Sequence, residues 1–466
     1  MSDFQAPKGT RDFYPAEAAR RRFITEAWRS ASVRHGFEEV DGPIFEHLDL
    51  YTVKSGEGIV SELFSFTRAG GEKDYALRPE FTPTLARLFA ARAGSLPKPT
   101  RWFTAGPFFR AEKPQRGRLR EFLQWNADIL GDPSPGADAE IIATCVSLLS
   151  SLGLTSKDVR VKVNHRAALS AWLETRGLSR EVQAELFKLL DAKGKMPAPE
   201  FALKISAFGF TAQQAEVFQR GLVRITVPAG IDPSREAVDV FQPPAIDPST
   251  QDVLDLTYFA DAVMPLAKEL VAAGIIDWVD FDLSIVRGLA YYTGMVFEVH
   301  EASGAERAIA GGGRYDNLVE LFGGPATPAV GFGMGDVVLG LVLEDRNLMP
   351  KDATLLRRIG ATPDVFVIPG PAPETDQLVK PLVARLRGAG MHARYSSKTT
   401  RNVGKLLKEA SDQAARVAMI VESRETVSLK DLASGEQSAP MVVAEAFARL
   451  QIVNVGSQST NPISRH

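Results

Sequence analysis

A mixed α/β (α+β) architecture with more than one domain is what this sequence predicts, and three observations carry the prediction. Around Trp102 to Trp125, two apolar runs flank a polar turn punctuated by Pro114 and Gly117, the pattern of an antiparallel hairpin. From Arg166 to about Asp252 the chain turns helical: AWLETRG, EVQAELFKLLDAKG and TAQQAEVFQRGLV repeat apolar residues at a period near 3.6. Beyond Pro363, strand-like and helix-like runs alternate as in a βαβ unit.

Taken in order, Ala16 to His35 reads as a helix whose apolar stripe is Ala18, Ile24, Ala27, Trp28 and Ala31, with Gly36 placed to cap it. Phe37 to Phe45 reads as a strand broken at Gly42-Pro43. The hairpin follows, its first strand running from Trp102 to Phe109 and its second resuming at Phe122, Leu123 and Trp125. Cys145, in an apolar run, reads as a buried helix residue. The helical stretch reads as a module inserted between two parts of one sheet, at about 167–252, and Pro228, Pro233, Pro243, Pro244 and Pro248 mark its exit. Gly331 to Gly335 reads as a glycine-rich strand, and a domain boundary falls near Leu348 to Pro363, so that 1–350 forms one domain and 361–450 another. In the second, DVFVIP is a strand, Leu378 to Leu386 a helix stopped by Gly388 and Gly390, Asn402 to Ala414 a second helix and Val417 to Val421 a further strand. Residues 451–466, ending GSQSTNPISRH, have the composition of a disordered tail.

Composition narrows the function classes. At 466 residues the chain has room for roughly two or three domains. A net charge of −3 gives no global attraction to nucleic acid, so RNA contact has to use local basic patches. One cysteine excludes an internal disulfide and a cysteine-based zinc site, which suits a reducing cytoplasm. The first residues, MSDFQAPKGTRD, lack the apolar core of a signal peptide, and no run of about twenty apolar residues exists, so neither export nor membrane spanning is expected.

The hairpin is where chemistry concentrates. Phe109 to Asp128 holds Arg110, Lys113, Arg116, Arg118 and Arg120 with Glu112 and Glu121. Guanidinium forks at facing strand ends can grip phosphate oxygens, and Phe122 offers a flat face for a base. A surface hairpin laced with salt bridges fits the same residues.

Resemblance extends this reading. Arg110-Ala111-Glu112 followed by GRLREF resembles motif 2 of the class II aminoacyl-tRNA synthetases. KGTRDFYP at Lys8 to Pro15, RGLAYYTG at Arg287 to Gly294 and AGGGRYDNL at Ala310 to Leu318 resemble signatures of histidyl-tRNA synthetases in particular. The resemblance runs from residue 8 to about 450. It implies a class II catalytic domain on an antiparallel sheet, a helical insertion near the tRNA acceptor stem, and a C-terminal α/β domain of anticodon-binding type, in which Arg394, Lys398, Arg401, Lys405 and Lys408 would face phosphates. Pro43 and Glu46 stand where the family's motif 1 builds a dimer interface, so a homodimer is implied.

The implied activity is histidine activation with ATP, followed by transfer to the 3′ end of tRNA(His), with Mg²⁺ bridging the triphosphate. By the same resemblance, Arg110 would meet the α-phosphate and Arg287 would serve as a second catalytic cation. Glu112, Arg118, Arg120 and Phe122 would bind ATP. Glu80, Thr82 and Gln124 would face the histidine ammonium. Asp128, Tyr291, Tyr292 and Tyr315 would surround its ring. The carboxylates that hold the metal are not identified by the resemblance.

Two departures stand out. The family's Glu-Arg pair after the glycine-rich strand is replaced by Val337-Val338, and its usual aspartate between Leu289 and Tyr291 is Ala290. A non-catalytic relative, such as the regulatory subunit of ATP phosphoribosyltransferase, is therefore the second reading.

Overall fold

The computed structural model describes residues 4–55, 57–193, 196–212, 214–215, 218, 222–223, 257–282, 284–287, 291–304 and 306–458. Two compact units emerge, one from the residues up to Asp12 with Ile24–Met349, the other from Phe13–Phe23 with the chain from Pro350 onward. In the first unit the strands are, in chain order, β1 Glu38–Glu39, β2 Phe45–His47, β3 Ser65–Thr67, β4 Asp74–Leu77, β5 Thr100–Phe109, β6 Glu121–Leu130, β7 Val159–His165, β8 Leu222–Val223, β9 Val279–Asp282, β10 Met295–Glu301, β11 Ala310–Arg314 and β12 Ala329–Gly335. Nine of them form one sheet in the order β1-β5-β6-β12-β11-β10-β7-β9-β8, antiparallel through its centre, and β2-β4-β3 form a small second sheet.

The predicted hairpin lies toward one side of this sheet, between the edge strand β1 and the glycine-rich β12. β5 and β6 pair from Thr100 opposite Leu130 to Phe109 opposite Glu121, and a bridge between Gln115 and Arg118 closes the turn. Side chains alternate along β6. Trp125, Ala127 and Ile129 are fully buried on one face, and Gln124, Asn126 and Asp128 occupy the other. On the apolar face Trp125 lies 6.4 Å from Trp28, stacked, and 4.8 Å from Phe332, edge-on. Its indole N–H, which burial would otherwise leave unpaired, donates to Ser32 Oγ at 2.8 Å. Trp28 and Ser32 come from the helix Pro15–Arg34, whose Ile24, Trp28 and Ala31 are buried as its spacing predicts, and Gly36 follows it with φ of 73°.

The break at Gly42-Pro43 does more than interrupt a strand. It hands the chain from β1, parallel to β5 in the large sheet, to β2, antiparallel to β4 in the small one. Pro135–Ser151 forms a helix capped by the Ser134 side chain, with Cys145 fully buried in it as expected. The inserted segment is helical at Arg166–Thr175, Arg180–Asp191 and Ala198–Ser206, around an aromatic cluster of Trp172, Phe210 and Phe218. Its exit prolines, from Pro228 to Pro248, lie outside the described residues.

In the second unit, β13 Val365–Pro369, β14 Ala393–Tyr395, β15 Val417–Val421, β16 Thr426–Asp431 and β17 Met441–Val442 form a sheet ordered β14-β13-β15-β16-β17. β13 runs parallel to both its neighbours, as the βαβ pattern requires. The helix Asp376–Gly388 buries Val379, Leu382, Val383 and Leu386, and Val403–Asp412 is capped by the Asn402 side chain. Two features differ from expectation. Phe13–Phe23 groups with this unit, where Arg20 bonds Asp352 at 2.8 Å and Arg358 lies over Phe23. The helix Val443–Gln458 also carries order past residue 451, because Ala446 and Leu450 bury against the sheet and propagate the helix beyond them; 459–466 lie outside the described residues. Among the described residues, no helix is long and apolar enough to cross a membrane.

Replacing Trp125 removes a tryptophan packed between sheet and helix and takes its donor from Ser32 Oγ, which keeps only its bond to the Trp28 carbonyl. Trp125→Ala is expected to cost the first unit about 3 to 5 kcal/mol, measurable as a lower midpoint in urea unfolding.

Candidate functional site

The polar face of the sheet opens over a floor without side chains. Gly331 and Gly333 of β12 stand opposite Asp128 and Asn126 of β6, and Gly313 and Gly311 of β11 continue the row to Glu298 of β10. Close approach demands glycine here. A Cβ on Gly331 would fall 1.8 Å from Asp128 Oδ1, and one on Gly311 would fall 2.3 Å from Arg287 Nη1.

Around this floor the polar groups are tied in sequence. Tyr315 donates its hydroxyl to Asp128 Oδ1 at 2.5 Å, both residues being almost fully buried. Burial pushes the Asp128 carboxyl up to about 7, with the Tyr315 hydrogen bond only partly opposing it. Tyr291 lies 4.7 Å from Tyr292 and edge-on to Tyr315, so the tyrosine that binds the carboxylate belongs to a cluster of three aromatic rings. Gln124 donates to Asn126 Oδ1 at 2.8 Å along the same face. Glu80 is half-buried just ahead of the helix Thr82–Ala90, and its charge acts on Arg110, Tyr291 and Tyr292. Thr82, buried, opens that helix.

The cations form a second layer. Arg287, whose backbone takes a φ of 51°, donates from Nη1 to Glu298 Oε1 at 2.8 Å, and Glu298 Oε2 lies 2.8 Å from His300 Nε2. Burial alone would raise the Glu298 carboxyl; His300 and Arg287 together outweigh it and hold it down to about 2. Arg110 donates to the Pro79 carbonyl at 3.2 Å and sits 5.1 Å from the centre of the Phe122 ring. Burial lowers the Arg110 pKa, and the nearby Arg287 charge lowers it further against the pull of Glu80. Arg118 pairs with Glu112, yet burial and the charges of Arg307 and Arg110 lower its pKa as well.

Arg120 behaves differently from its neighbours. It donates to the backbone carbonyls of Glu112, at 3.1 Å, and Lys8, at 3.4 Å, and so clips the amino-terminal signature to the hairpin. Arg11 of that signature bonds Asp336 at 2.7 Å, and Asp336 also accepts the Leu123 amide at 2.9 Å. Asp336 begins the helix Asp336–Asp345, in whose first turn Val337 and Val338 stand. KGTRDFYP thus acts as a strap joining hairpin and glycine-rich strand, a role its local sequence does not disclose.

The structure brings Arg110, Glu112, Phe122, Gln124, Asp128, Arg287, Tyr291, Tyr292 and Tyr315 to one face. Gly288, Leu289 and Ala290 lie outside the described residues. Three participants were not anticipated: Asn126, Glu298 and Arg307. Alternation through Gln124-Trp125-Asn126-Ala127-Asp128 signals the first; nothing local signals the other two.

Comparison with known proteins gives consistent results. Residues 9–335 match the family described as histidyl-tRNA synthetase. The histidine–tRNA ligase of Opitutus terrae is 35% identical, with 96% of this chain and 99% of that protein covered. That of Halobacterium salinarum is 37% identical, with 94% and 96% covered, and the chloroplastic/mitochondrial one of Arabidopsis thaliana is 34% identical, with 93% and 84% covered. In fold, the chain resembles the histidyl-tRNA synthetase of a Nostoc species, with a TM-score of 0.73 at 22% identity, covering 97% of this chain and 99% of that one. It also resembles a Bacillus halodurans chain described as an ATP phosphoribosyltransferase regulatory subunit/histidyl-tRNA synthetase, with a TM-score of 0.67 at 20% identity, covering 91% and 100%.

One consequence follows from the buried carboxyl alone. Its folded pKa, about 7, lies above the ordinary 3.8, so the stability linked to its proton is complete below about pH 4 and lost as pH rises through about 7. Asp128→Asn is expected to flatten this part of the stability curve and to gain on the order of 4 kcal/mol at most over the unmodified chain at pH 8, as measured by urea unfolding across pH.

Proposed function

The chain belongs to the histidyl-tRNA synthetase family, and from that premise we propose how its residues carry out histidine–tRNA ligation. The observation that carries the proposal is the glycine floor beside which a tyrosine-bound carboxylate, Asp128, and the cations Arg287 and Arg110 stand. It is an aminoacyl-tRNA synthetase that uses ATP. The curated ligases align with it over nearly its whole length, so a non-catalytic regulatory subunit is not favoured.

In this reading the histidine imidazole enters between the tyrosine rings and donates a ring N–H to Asp128. Ionising a carboxyl whose pKa is near 7 is easy once a donor replaces water. A buried acceptor that only an imidazole can satisfy rejects apolar amino acids, which would leave it unpaired. Glu80, Thr82 and Gln124 receive the α-ammonium. The α-carboxylate is then left beside Arg287 and Arg110. One of its oxygens attacks the α-phosphorus of ATP, pyrophosphate departs, and the histidyl-adenylate remains until a terminal ribose hydroxyl of the tRNA takes the histidyl group and releases AMP.

No protein nucleophile is needed; positioning and neutralisation supply the rate. Arg287 suits this task because Glu298 and His300 fix it from behind, leaving its planar fork oriented. Arg110 and Phe122 hold the α-phosphate and adenine, with Glu112 at the adenine edge or ribose. Arg118, and to a lesser degree the backbone-clipped Arg120, face the outer phosphates. Mg²⁺, which neutralises triphosphate charge, would be held mostly by phosphate oxygens and water. Glu62 and Glu80, whose charges act on Arg110, are the hard oxygen donors that fit beside it.

The second unit is proposed as an anticodon-binding domain, from 361 to about 450. Lys405 and Lys408 are exposed there without an ion pair to any described residue, while Arg401 and Lys398 are paired with Asp376 and Glu409. A homodimer built near Pro43 and Glu46, and a cytoplasmic location, complete the proposal.

Histidine-dependent exchange of labelled pyrophosphate into ATP tests it. The intact chain should catalyse exchange only with histidine, and Arg110→Ala and Arg287→Ala should each lower its rate by about a hundredfold to a thousandfold. Exchange that survives both substitutions would remove these residues from the site.

A further inference from the structure

The family's Glu-Arg pair would place an arginine at position 338, where this chain has Val338. That position faces the turn of the ATP-binding hairpin. A Cβ on Gly117 would lie 3.2 Å from Val338 Cγ2, 3.8 Å from Arg307 Cδ and 3.9 Å from Glu306 Oε2. Val338 and Arg307 therefore converge on the same glycine, one from the helix Asp336–Asp345 and the other from the loop joining β10 to β11. Resting on the synthetase reading above, we propose that Arg307 binds the outer phosphates of ATP and supplies the cation that position 338 lacks.

Three features of the structure support this assignment. Arg307 is half-buried, yet it makes no hydrogen bond or ion pair with a described residue, whereas its neighbour Glu306 is fully engaged. Arg116 bonds Glu306 at 2.7 Å, anchoring the β10–β11 loop to the hairpin turn and leaving Arg307 against Gly117. Arg307 also lies close enough to Arg118 for its charge to depress the Arg118 pKa, and Arg110 does the same from the other side. Arg287, Arg110, Arg118 and Arg307 are thus linked in series, each within electrostatic reach of the next.

Carboxylates answer part of this charge: Glu298 holds Arg287, and Glu112 holds Arg118. None of the described carboxylates bonds Arg307. A row of guanidiniums that ends in a member bonded by none of the described carboxylates is matched by an extended polyanion of several charges, as a nucleoside triphosphate is. Val338 strengthens the assignment by its chemistry: it brings no charge to the turn, whereas Arg307 Cδ lies 3.8 Å from the same Gly117 Cβ position.

The test separates outer from inner phosphates. ATP and AMP binding are measured by calorimetry on the full-length chain, its Arg307→Ala variant and the Arg307→Lys variant, alongside pyrophosphate exchange. Arg307→Ala is expected to weaken ATP binding by about tenfold to a hundredfold, as loss of a charge-assisted contact should. AMP binding and the KM for histidine should stay within about twofold, and Arg307→Lys should recover part of the loss. A double variant, Arg307→Ala with Val338→Arg, should regain ATP affinity, because the cation is returned from the other side of Gly117. Equal ATP affinity in the intact and Arg307→Ala chains, with exchange intact in both, overturns the assignment while the synthetase reading stands. An intact chain that binds neither ATP nor histidine overturns both.

Discussion

Everything in the site depends on the space that β11 and β12 leave above the sheet. An alanine methyl at Gly331 or Gly311 would overlap the Asp128 carboxylate or the Arg287 guanidinium, so the two charged groups of opposite function exist only because their floor has no side chains. Glycine in a strand costs about 0.5 to 1 kcal/mol relative to alanine, and the two strands together hold six of them, at 311, 312, 313, 331, 333 and 335. Both strands are central, hydrogen-bonded on each side by β6, β10 and one another, and the opposite face is filled by Trp125, Phe332 and Phe297. A large aromatic core beneath offsets what the glycines lose above.

Charge follows the same division of labour. Buried ions are tolerated when each has a partner, and here Arg287 is held by Glu298, itself against His300, and Arg11 by Asp336, contacts that fix geometry. Asp128 and Arg110 are not held by an opposite charge in this way. The Asp128 carboxyl is raised by burial against the hydrogen bond of a single tyrosine, and Arg110 is lowered by burial and then by the nearby Arg287 charge. On the proposed reading, what is incomplete in the protein alone is what histidine and a triphosphate complete, which makes the site a set of unmet interactions more than a set of strong ones.

The hairpin, the first helix, the break at Gly42-Pro43 and the βαβ order of the second unit were legible in the sequence, because each is set by local periodicity and by proline or glycine at a turn. The candidate site residues, Gln124 and Asp128 as well as Arg287 and Tyr315, were named from the family resemblance, and strand alternation explains why Gln124 and Asp128 share one face. Glu298 was not legible: it is one acid in an ordinary strand, and only the β10–β11 register sets it beside Arg287. Arg307 was hidden for the same reason, since its meaning depends on Gly117 and Val338, which are remote in sequence. The grouping of Phe13–Phe23 with the second unit likewise rests on the Arg20–Asp352 contact, made across more than three hundred residues.

The central claim is that the glycine floor exists to hold a carboxylate that reads histidine. It is tested most directly by titrating L-histidine calorimetrically into the intact chain and into Gly331→Ala, with circular dichroism confirming that both are folded. The account predicts that the added methyl, which overlaps Asp128 Oδ1, weakens histidine binding by about a hundredfold or more while the chain stays folded. A folded Gly331→Ala chain that binds histidine as tightly as the intact one would contradict it.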